Sequence, residues 1–180
     1  MINYKFSYIT GKQASKKLSL DKNTHPYINA LSSTNPIEWK NQHNFVTGSK
    51  NPHGLQAKPQ LINNMIQCDY TFNKNHSGPP IATHGGVHSA LADELMGLAC
   101  FCIHELTVTL KLDVNYRHPV FLSKKHTALA WIHNIEQKKI WCEAIIVADN
   151  TLCAEISGLF YRFKKEDMDK FHTDFFGNES

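Results

Sequence analysis

The segment HGGVHSALADELMG, residues 84–97, carries the clearest structural signal in the chain. Leu91, Leu95 and Leu98 recur at steps of three and four residues, which is the spacing of one face of an α-helix. Asp93 and Glu94 are the only Asp, Glu, Lys or Arg residues between positions 87 and 101. A helix that is apolar nearly all round is normally buried, so the sequence predicts one buried helix over residues 87–102.

Strand-like runs lie on both sides of this helix. The run TVTLKLDVNY at 107–116 alternates, with Val108, Leu110, Leu112, Val114 and Tyr116 on one predicted face. Further strands are predicted at 61–72, 127–134, 139–148 and 151–163. Short connections favour antiparallel neighbours. The pattern therefore predicts an α+β fold in which a curved antiparallel sheet wraps around one long central helix.

The remaining segments suggest a division of the 180 residues into three parts. We predict an N-terminal extension over 1–42, with a strand in 2–9 and a short helix opening at Pro36. The main domain is predicted over 43–164, followed by a charged C-terminal tail over 165–180.

Bulk properties exclude several classes of protein. The net charge is +3, but Lys and Arg are scattered and only Arg117 and Arg162 are arginines, which argues against a nucleic-acid partner. No apolar run approaches the roughly 18 residues that span a bilayer, and no signal-peptide pattern opens the sequence. Five cysteines, an odd number, fit buried reduced thiols. We therefore expect a cytoplasmic protein that binds neither membranes nor nucleic acid.

The start of the helix has features that favour chemistry on a carbonyl group. Gly85 and Gly86 allow another molecule to approach the backbone closely, and a helix start presents unpaired amide donors. Asp93 lies seven residues beyond Gly86 on nearly the same face, but roughly 10 Å along the axis. Two antiparallel copies of the helix could place Gly85 of one subunit opposite Asp93 of the other. If the motif is catalytic, the protein should be a homodimer or a dimer of dimers.

Asp93 stands in an apolar context, and burying a carboxylate without partners is costly. Such a cost is tolerated mostly at functional sites, although an internal salt bridge is the ordinary alternative. Glu94 points about 100° away around the helix and is predicted to be its solvated neighbour.

Four motifs resemble those of PaaI-like acyl-CoA thioesterases, a hotdog-fold family. HGGVHSALADELMG is similar to the family's central helix, with His-Gly-Gly at its start and an acidic residue at the tenth position, here Asp93. The others are FVTGSKNPHGL at 45–55, VNYRHPV at 114–120 and ISGLFYRF at 156–163. The resemblance covers roughly residues 44–163.

The resemblance implies a role for each matching residue. Gly85 would donate its amide to the thioester oxygen, with Gly86 beside it at the substrate. Asp93 would act from the partner subunit, either as the nucleophile or as the base that activates water. His84 would orient the loop or the thioester, and Thr109 would position the water. No cofactor is implied, because coenzyme A is part of the substrate.

Two departures from the family pattern concern the site. Asn44 and Thr47 replace two cysteines of the loop at 44–55, which removes any metal or redox role of that pair. Gly78 stands where several relatives carry Asn or Gln, so Asn75, His76 or Ser77 would have to substitute. This departure puts rate or substrate choice in question more than fold.

Other residues suggest rival or additional sites. His84 and His88 have the spacing of a helical metal pair, but Gly85 replaces the Glu that a zinc hydrolase needs, and no metal is predicted. Cys100, Cys102 and His104 are better explained as core residues. A cluster after strand 107–116 could meet coenzyme A phosphates or form a solvated turn: Arg117, His118, Lys124 and Lys125.

Acyl-CoA hydrolysis is the function that these features favour. A non-catalytic acyl-CoA-binding sensor on the same fold is the alternative, motivated by Gly78 and the long N-terminal extension. A hotdog hydratase or dehydratase is disfavoured, because adjacent His104 and Glu105 project in different directions.

Overall fold

A computed structural model describes residues 33–36, 41–103, 105–164 and 166 of the protein. Its single long helix is α1, Gly85–Cys102. The strands are β1 (Ser33–Pro36), β2 (Gln60–Ile62), β3 (Met65–Thr71), β4 (Thr107–Tyr116), β5 (Lys125–Glu136), β6 (Lys139–Ala148) and β7 (Thr151–Arg162). They form one sheet in the order β1-β2-β3-β5-β6-β7-β4, in which all neighbours are antiparallel.

The helix α1 packs on the sheet and contacts β3, β4, β5, β6 and β7. Leu91, Leu95 and Leu98 are almost completely buried, as their helical spacing predicts. They join Phe72, directly after β3, and Phe160 of β7 in the main hydrophobic core. The prediction of an α+β fold with one central helix in an antiparallel sheet is therefore confirmed.

The segment predicted as one strand over 61–72 is instead a hairpin. Asn63 and Asn64 adopt left-handed φ values of 50° and 64°, and they turn the chain between β2 and β3. Asparagine tolerates this conformation better than most residues, so the Asn-Asn pair was the sequence signal for the turn. The same geometry occurs at the predicted turn Asp149–Asn150.

The predicted regular alternation of β4 is interrupted by a bulge. Thr109 pairs with Phe160 and Lys111 pairs with Leu159, which leaves Leu110 without a partner on β7. Val108, Leu110 and Tyr116 are 45%, 55% and 56% exposed, respectively. β4 also lies at one end of the strand order formed by the described residues, so this apolar surface borders that edge of the sheet.

The predicted three-part division stays a prediction. Ser33–Pro36, within the predicted extension, forms β1 and pairs with β2, so Pro36 lies in a strand. The strand predicted in 2–9 and the rest of the helix predicted from Pro36 lie outside the described residues. Within the described part of the chain, no helix is sufficiently long and apolar to cross a bilayer.

Candidate active site at helix α1

His84 caps the N-terminus of α1. Its backbone is extended, and its Nδ1 accepts a hydrogen bond of 3.0 Å from the Gly86 amide. Gly85 is therefore the first residue of the helix, two positions before the predicted start. His84 thus orients the helix entrance, and any contact of its ring with a substrate stays a prediction.

At this helix end, the Gly85 amide has no hydrogen-bond acceptor among the described residues. The Gly85 carbonyl accepts a hydrogen bond from Ser89 Oγ at 2.8 Å, and the Gly86 amide is already bound to His84. The Gly85 N–H lies at the positive end of the helix dipole, where a developing negative charge is stabilised.

Asp93 and Thr109, which the family resemblance placed in the site, are in direct contact; their catalytic roles stay predictions. Thr109 Oγ1 donates a hydrogen bond of 2.8 Å to Asp93 Oδ1. Burial raises the pKa of Asp93 above the ordinary aspartate value, and the Thr109 hydrogen bond lowers it only in part. No basic side chain among the described residues forms an ion pair with Asp93. The salt-bridge explanation of this carboxylate is therefore not supported.

A half-open cleft of about 420 Å³ adjoins the Asp93–Thr109 pair. Its walls are mainly apolar, with Leu106, Val108, Phe160 and Phe163 among the lining residues, while Glu94 and Glu105 add carboxylates. Such a cleft can hold an apolar acyl group beside the Asp93 carboxylate.

Glu94 is not the solvated neighbour that the sequence predicted. It is half-buried, and it accepts hydrogen bonds from Thr47 Oγ1 at 3.0 Å and from Asn44 Nδ2 at 3.3 Å. The two residues that replace the family's loop cysteines thus attach this loop to α1 beside Asp93. The sequence did not show this contact because the partners are 47 and 50 positions apart.

Gly78 has no room for the side chain that several relatives carry there. A Cβ at this position would lie 2.9 Å from the Cα of His84. Of the three possible substitutes, His76 is buried and its Nδ1 accepts the Asn73 amide, whereas Asn75 and Ser77 are exposed.

The residues predicted to bind coenzyme A are exposed on the turn after β4. Arg117 Nε forms an ion pair of 2.7 Å with Glu155, so this guanidinium already has a carboxylate partner. His118 uses its backbone amide to bind Cys153 O, and Lys124 Nζ lies 5.3 Å from the Phe121 ring centroid. Phosphate binding and a solvated turn both remain compatible with this arrangement.

Tyr116 is a site residue that the sequence analysis missed. Its hydroxyl lies 2.9 Å from Ser89 Oγ, and its ring stands against Gly85. The strand pattern assigned Tyr116 only to an apolar face. A long-range pairing between the end of β4 and the start of α1 leaves no local signal in the sequence.

The rival metal and cysteine clusters have other environments. His84 caps the helix, while His88 is buried against Tyr116 with ring centroids 5.2 Å apart. Within the described residues, no group of three or more His, Cys, Asp or Glu is arranged to hold a metal ion. Cys100 is buried 3.6 Å from the Cys142 sulfur, and Cys102 is half-buried; His104 lies outside the described residues.

Comparison with solved structures identifies the fold. A thioesterase superfamily protein matches with a TM-score of 0.65 at 21% identity, covering 78% of this chain and 74% of its own. The PaaI protein of Escherichia coli, from the phenylacetic acid degradation operon, matches at 0.57 and 19% identity, covering 61% and 81%. A hypothetical thioesterase protein of Streptococcus pneumoniae, solved with coenzyme A, matches with a TM-score of 0.56 at 14% identity, covering 59% of this chain and 87% of its own. The chain has the hotdog fold.

The amino-acid sequence also matches a protein-family model, which indicates a class of activity in addition to the fold. Residues 82–154, which include α1 and β4 to β6, match the family model of the thioesterase superfamily. The predicted resemblance to hotdog-fold thioesterases is therefore confirmed, and it supports a thioester hydrolase as the general class of activity.

Buried histidines near the N-terminal half of α1 should make the fold sensitive to acid. Both ring nitrogens of His88 are buried and make no hydrogen bond within the described residues. Burial, with smaller contributions from His126 and His84, lowers the pKa of His88 from 6.5 to about 4. The unfolded chain therefore binds a proton at His88 at a higher pH than the folded chain does. Stability from neutral His88 is complete above pH 6.5 and is lost as pH falls towards 4.

The free energy of unfolding should decrease less in His88→Phe than in the wild type as pH falls from 6.5 to 4, because phenylalanine cannot be protonated. The substitution keeps an aromatic ring against Tyr116. Urea unfolding at a series of pH values measures this slope. His53→Gln, at an exposed histidine, is the control and should keep the wild-type slope. Identical slopes in His88→Phe and wild type would show that His88 does not contribute.

Proposed function

We propose that the protein hydrolyses acyl-CoA thioesters to the free acid and coenzyme A, at sites shared between the two subunits of a homodimer. The observation that carries this proposal is the partly buried Asp93 carboxylate, which is hydrogen-bonded by Thr109 beside an apolar cleft. The same helix begins with a free amide at Gly85.

The need for a second subunit follows from the geometry of α1. Gly85 and Asp93 lie in one continuous helix, eight residues apart, which corresponds to about 12 Å along the axis. Both groups must be within hydrogen-bond reach of one thioester to act on it together. A twofold axis near Ser89, midway between these two residues, would bring Gly85 of each subunit towards Asp93 of its partner. The open β4 edge, with Val108 and Leu110 exposed, supplies a surface for that pairing.

The proposed chemistry divides between the first residue of α1 and the middle of the helix. The Gly85 N–H stabilises the negative charge that develops on the carbonyl oxygen. Asp93 of the partner subunit either removes a proton from an attacking water or attacks the carbonyl carbon itself. The tetrahedral intermediate collapses with cleavage of the C–S bond, and the thiolate of coenzyme A takes up a proton. When water is the nucleophile, this step releases the free acid. When Asp93 is the nucleophile, it leaves an acyl–Asp93 anhydride, which one water hydrolyses to the free acid and the regenerated carboxylate. The overall reaction consumes one water and needs no cofactor.

The named relatives support the substrate class and the central pair. The Streptococcus pneumoniae protein was solved with coenzyme A. Variants of that protein replace an aspartate or a threonine with alanine, and these two residues lie sixteen positions apart in that chain. Asp93 and Thr109 have the same separation. In this proposal His84 and Gly86 border the thioester, while His118, Lys124 and Arg117 lie towards the nucleotide.

We expect Asp93→Asn to reduce kcat by about 10²–10⁴-fold, because the amide can neither accept the proton nor attack. Release of free thiol from a panel of acyl-CoAs measures turnover and also identifies the preferred acyl group. Asp69→Asn is the matched control, since Asp69 also accepts a threonine hydrogen bond but lies on the sheet away from α1. Tight acyl-CoA binding without turnover by the wild type would instead favour the sensor function.

Thr109→Val should move the acidic limb of the kcat/KM profile to higher pH. The Thr109 hydrogen bond lowers the pKa of Asp93, so its removal raises that pKa, and Asp93 then becomes protonated at a higher pH. The comparison is made over the full pH profile with the best acyl-CoA. Thr127→Val, which removes the corresponding hydrogen bond to Asp69, should leave the limb unchanged. If the acidic limb of Thr109→Val stays at the wild-type pH, then protonation of Asp93 is not what produces this limb.

A further inference from the structure

One backbone amide is a weak oxyanion site, because developing charge on a carbonyl oxygen is usually met by more than one donor. The adjacent Gly86 amide is not free, since it is bound to His84 Nδ1. A second donor must therefore come from another element that reaches Gly85.

Tyr116, at the end of β4, reaches this point. The three atoms closest to a Cβ built on Gly85 all belong to Tyr116, with the hydroxyl oxygen at 2.9 Å and Cζ at 3.0 Å. The absence of a side chain at Gly85 is thus what allows the phenol to lie against the helix entrance. Tyr116 is nevertheless 56% exposed, so the phenol borders the open surface rather than the core.

The hydroxyl proton of Tyr116 can change its hydrogen-bond acceptor. Its hydroxyl lies 2.9 Å from Ser89 Oγ, and either oxygen can be the donor. When Ser89 Oγ donates to the Gly85 carbonyl at 2.8 Å, Tyr116 must donate to Ser89. If Ser89 instead donates to Tyr116, the phenolic proton is released to another acceptor. The Gly85 carbonyl then keeps its ordinary helical hydrogen bond from the Ser89 amide.

We propose that Tyr116 is a further catalytic residue, whose hydroxyl donates the second hydrogen bond to the thioester oxygen beside the Gly85 amide. This inference rests on the proposed thioesterase function. On substrate binding, Ser89 turns its proton to Tyr116 and Tyr116 turns its proton to the substrate oxygen. No net proton transfer occurs, and the phenol stays neutral.

The substitution Tyr116→Phe tests this proposal, because it removes the hydroxyl and keeps the ring against His88 and Gly85. We expect kcat for the best acyl-CoA to fall by about 10²-fold, as for loss of one oxyanion donor, with KM changed less than about twofold. Tyr161→Phe is the matched control, since that hydroxyl also has a side-chain partner, Lys138, and lies away from Gly85. It should retain wild-type kcat.

A spectroscopic measurement separates donation from a structural role. A non-hydrolysable ketone, in which a methylene stands between sulfur and carbonyl, is bound to each variant. Its C=O stretching frequency should be lower on the wild type than on Tyr116→Phe, because each donor weakens the carbonyl bond. Tyr116→Phe could keep the wild-type kcat and the wild-type C=O stretching frequency while Asp93→Asn is inactive. That result would overturn the role of Tyr116 and leave the proposed thioesterase function standing. Absence of turnover by the wild type would overturn the proposed function and this inference together.

Discussion

The fixed rise of α1 is the constraint on which the rest of the structure depends. A helix cannot fold back to bring its first amide to a carboxylate two turns later, and the buried leucines hold α1 straight against five strands. The Gly85 amide and the Asp93 carboxylate are therefore presented at separate points along the helix. The sheet leaves β4 at its edge and places Thr109 against Asp93. In the proposed function, a monomer therefore carries two half-sites, and a second copy would complete each of them.

The two half-sites differ in how they are stabilised. At the helix start, His84 and Ser89 occupy the polar groups of the Gly85–Gly86 peptide, so the Gly85 N–H is left as the available donor. At Asp93, partial burial favours the neutral acid, while Thr109 supports the carboxylate. A carboxyl group with a raised pKa is a better proton acceptor once ionised, which suits a base that works near neutral pH. Glu94 is instead fixed by Asn44 and Thr47, so adjacent carboxylates on one helix have different environments.

The helix and the later strands could be predicted from the sequence because their signals are local. The leucine spacing in 91–98 and the Asp149–Asn150 turn each involve neighbours in the chain. The hairpin at Asn63–Asn64 was equally local but was masked by the apolar residues around it. Thr109 was found only through the resemblance to a family. Contacts such as Tyr116 with Gly85, or Thr47 with Glu94, join residues more than thirty positions apart, and no periodicity predicts them.

A subunit-mixing experiment tests the shared site most directly. Gly85→Pro removes the Gly85 N–H, and the first helical position after the extended backbone of His84 suits the φ angle of proline. Its ring also displaces Tyr116, whose hydroxyl lies 2.9 Å from a Cβ at Gly85, so this substitution inactivates the whole half-site at the helix start. Gly85→Pro and Asp93→Asn subunits are each inactive alone and are refolded together in equal amounts. Random pairing makes half of the dimers hybrid, and each hybrid contains one intact site, so activity should return to about one quarter of wild type. Hybrid dimers that form and remain inactive would show that Gly85 and Asp93 do not act together across the interface.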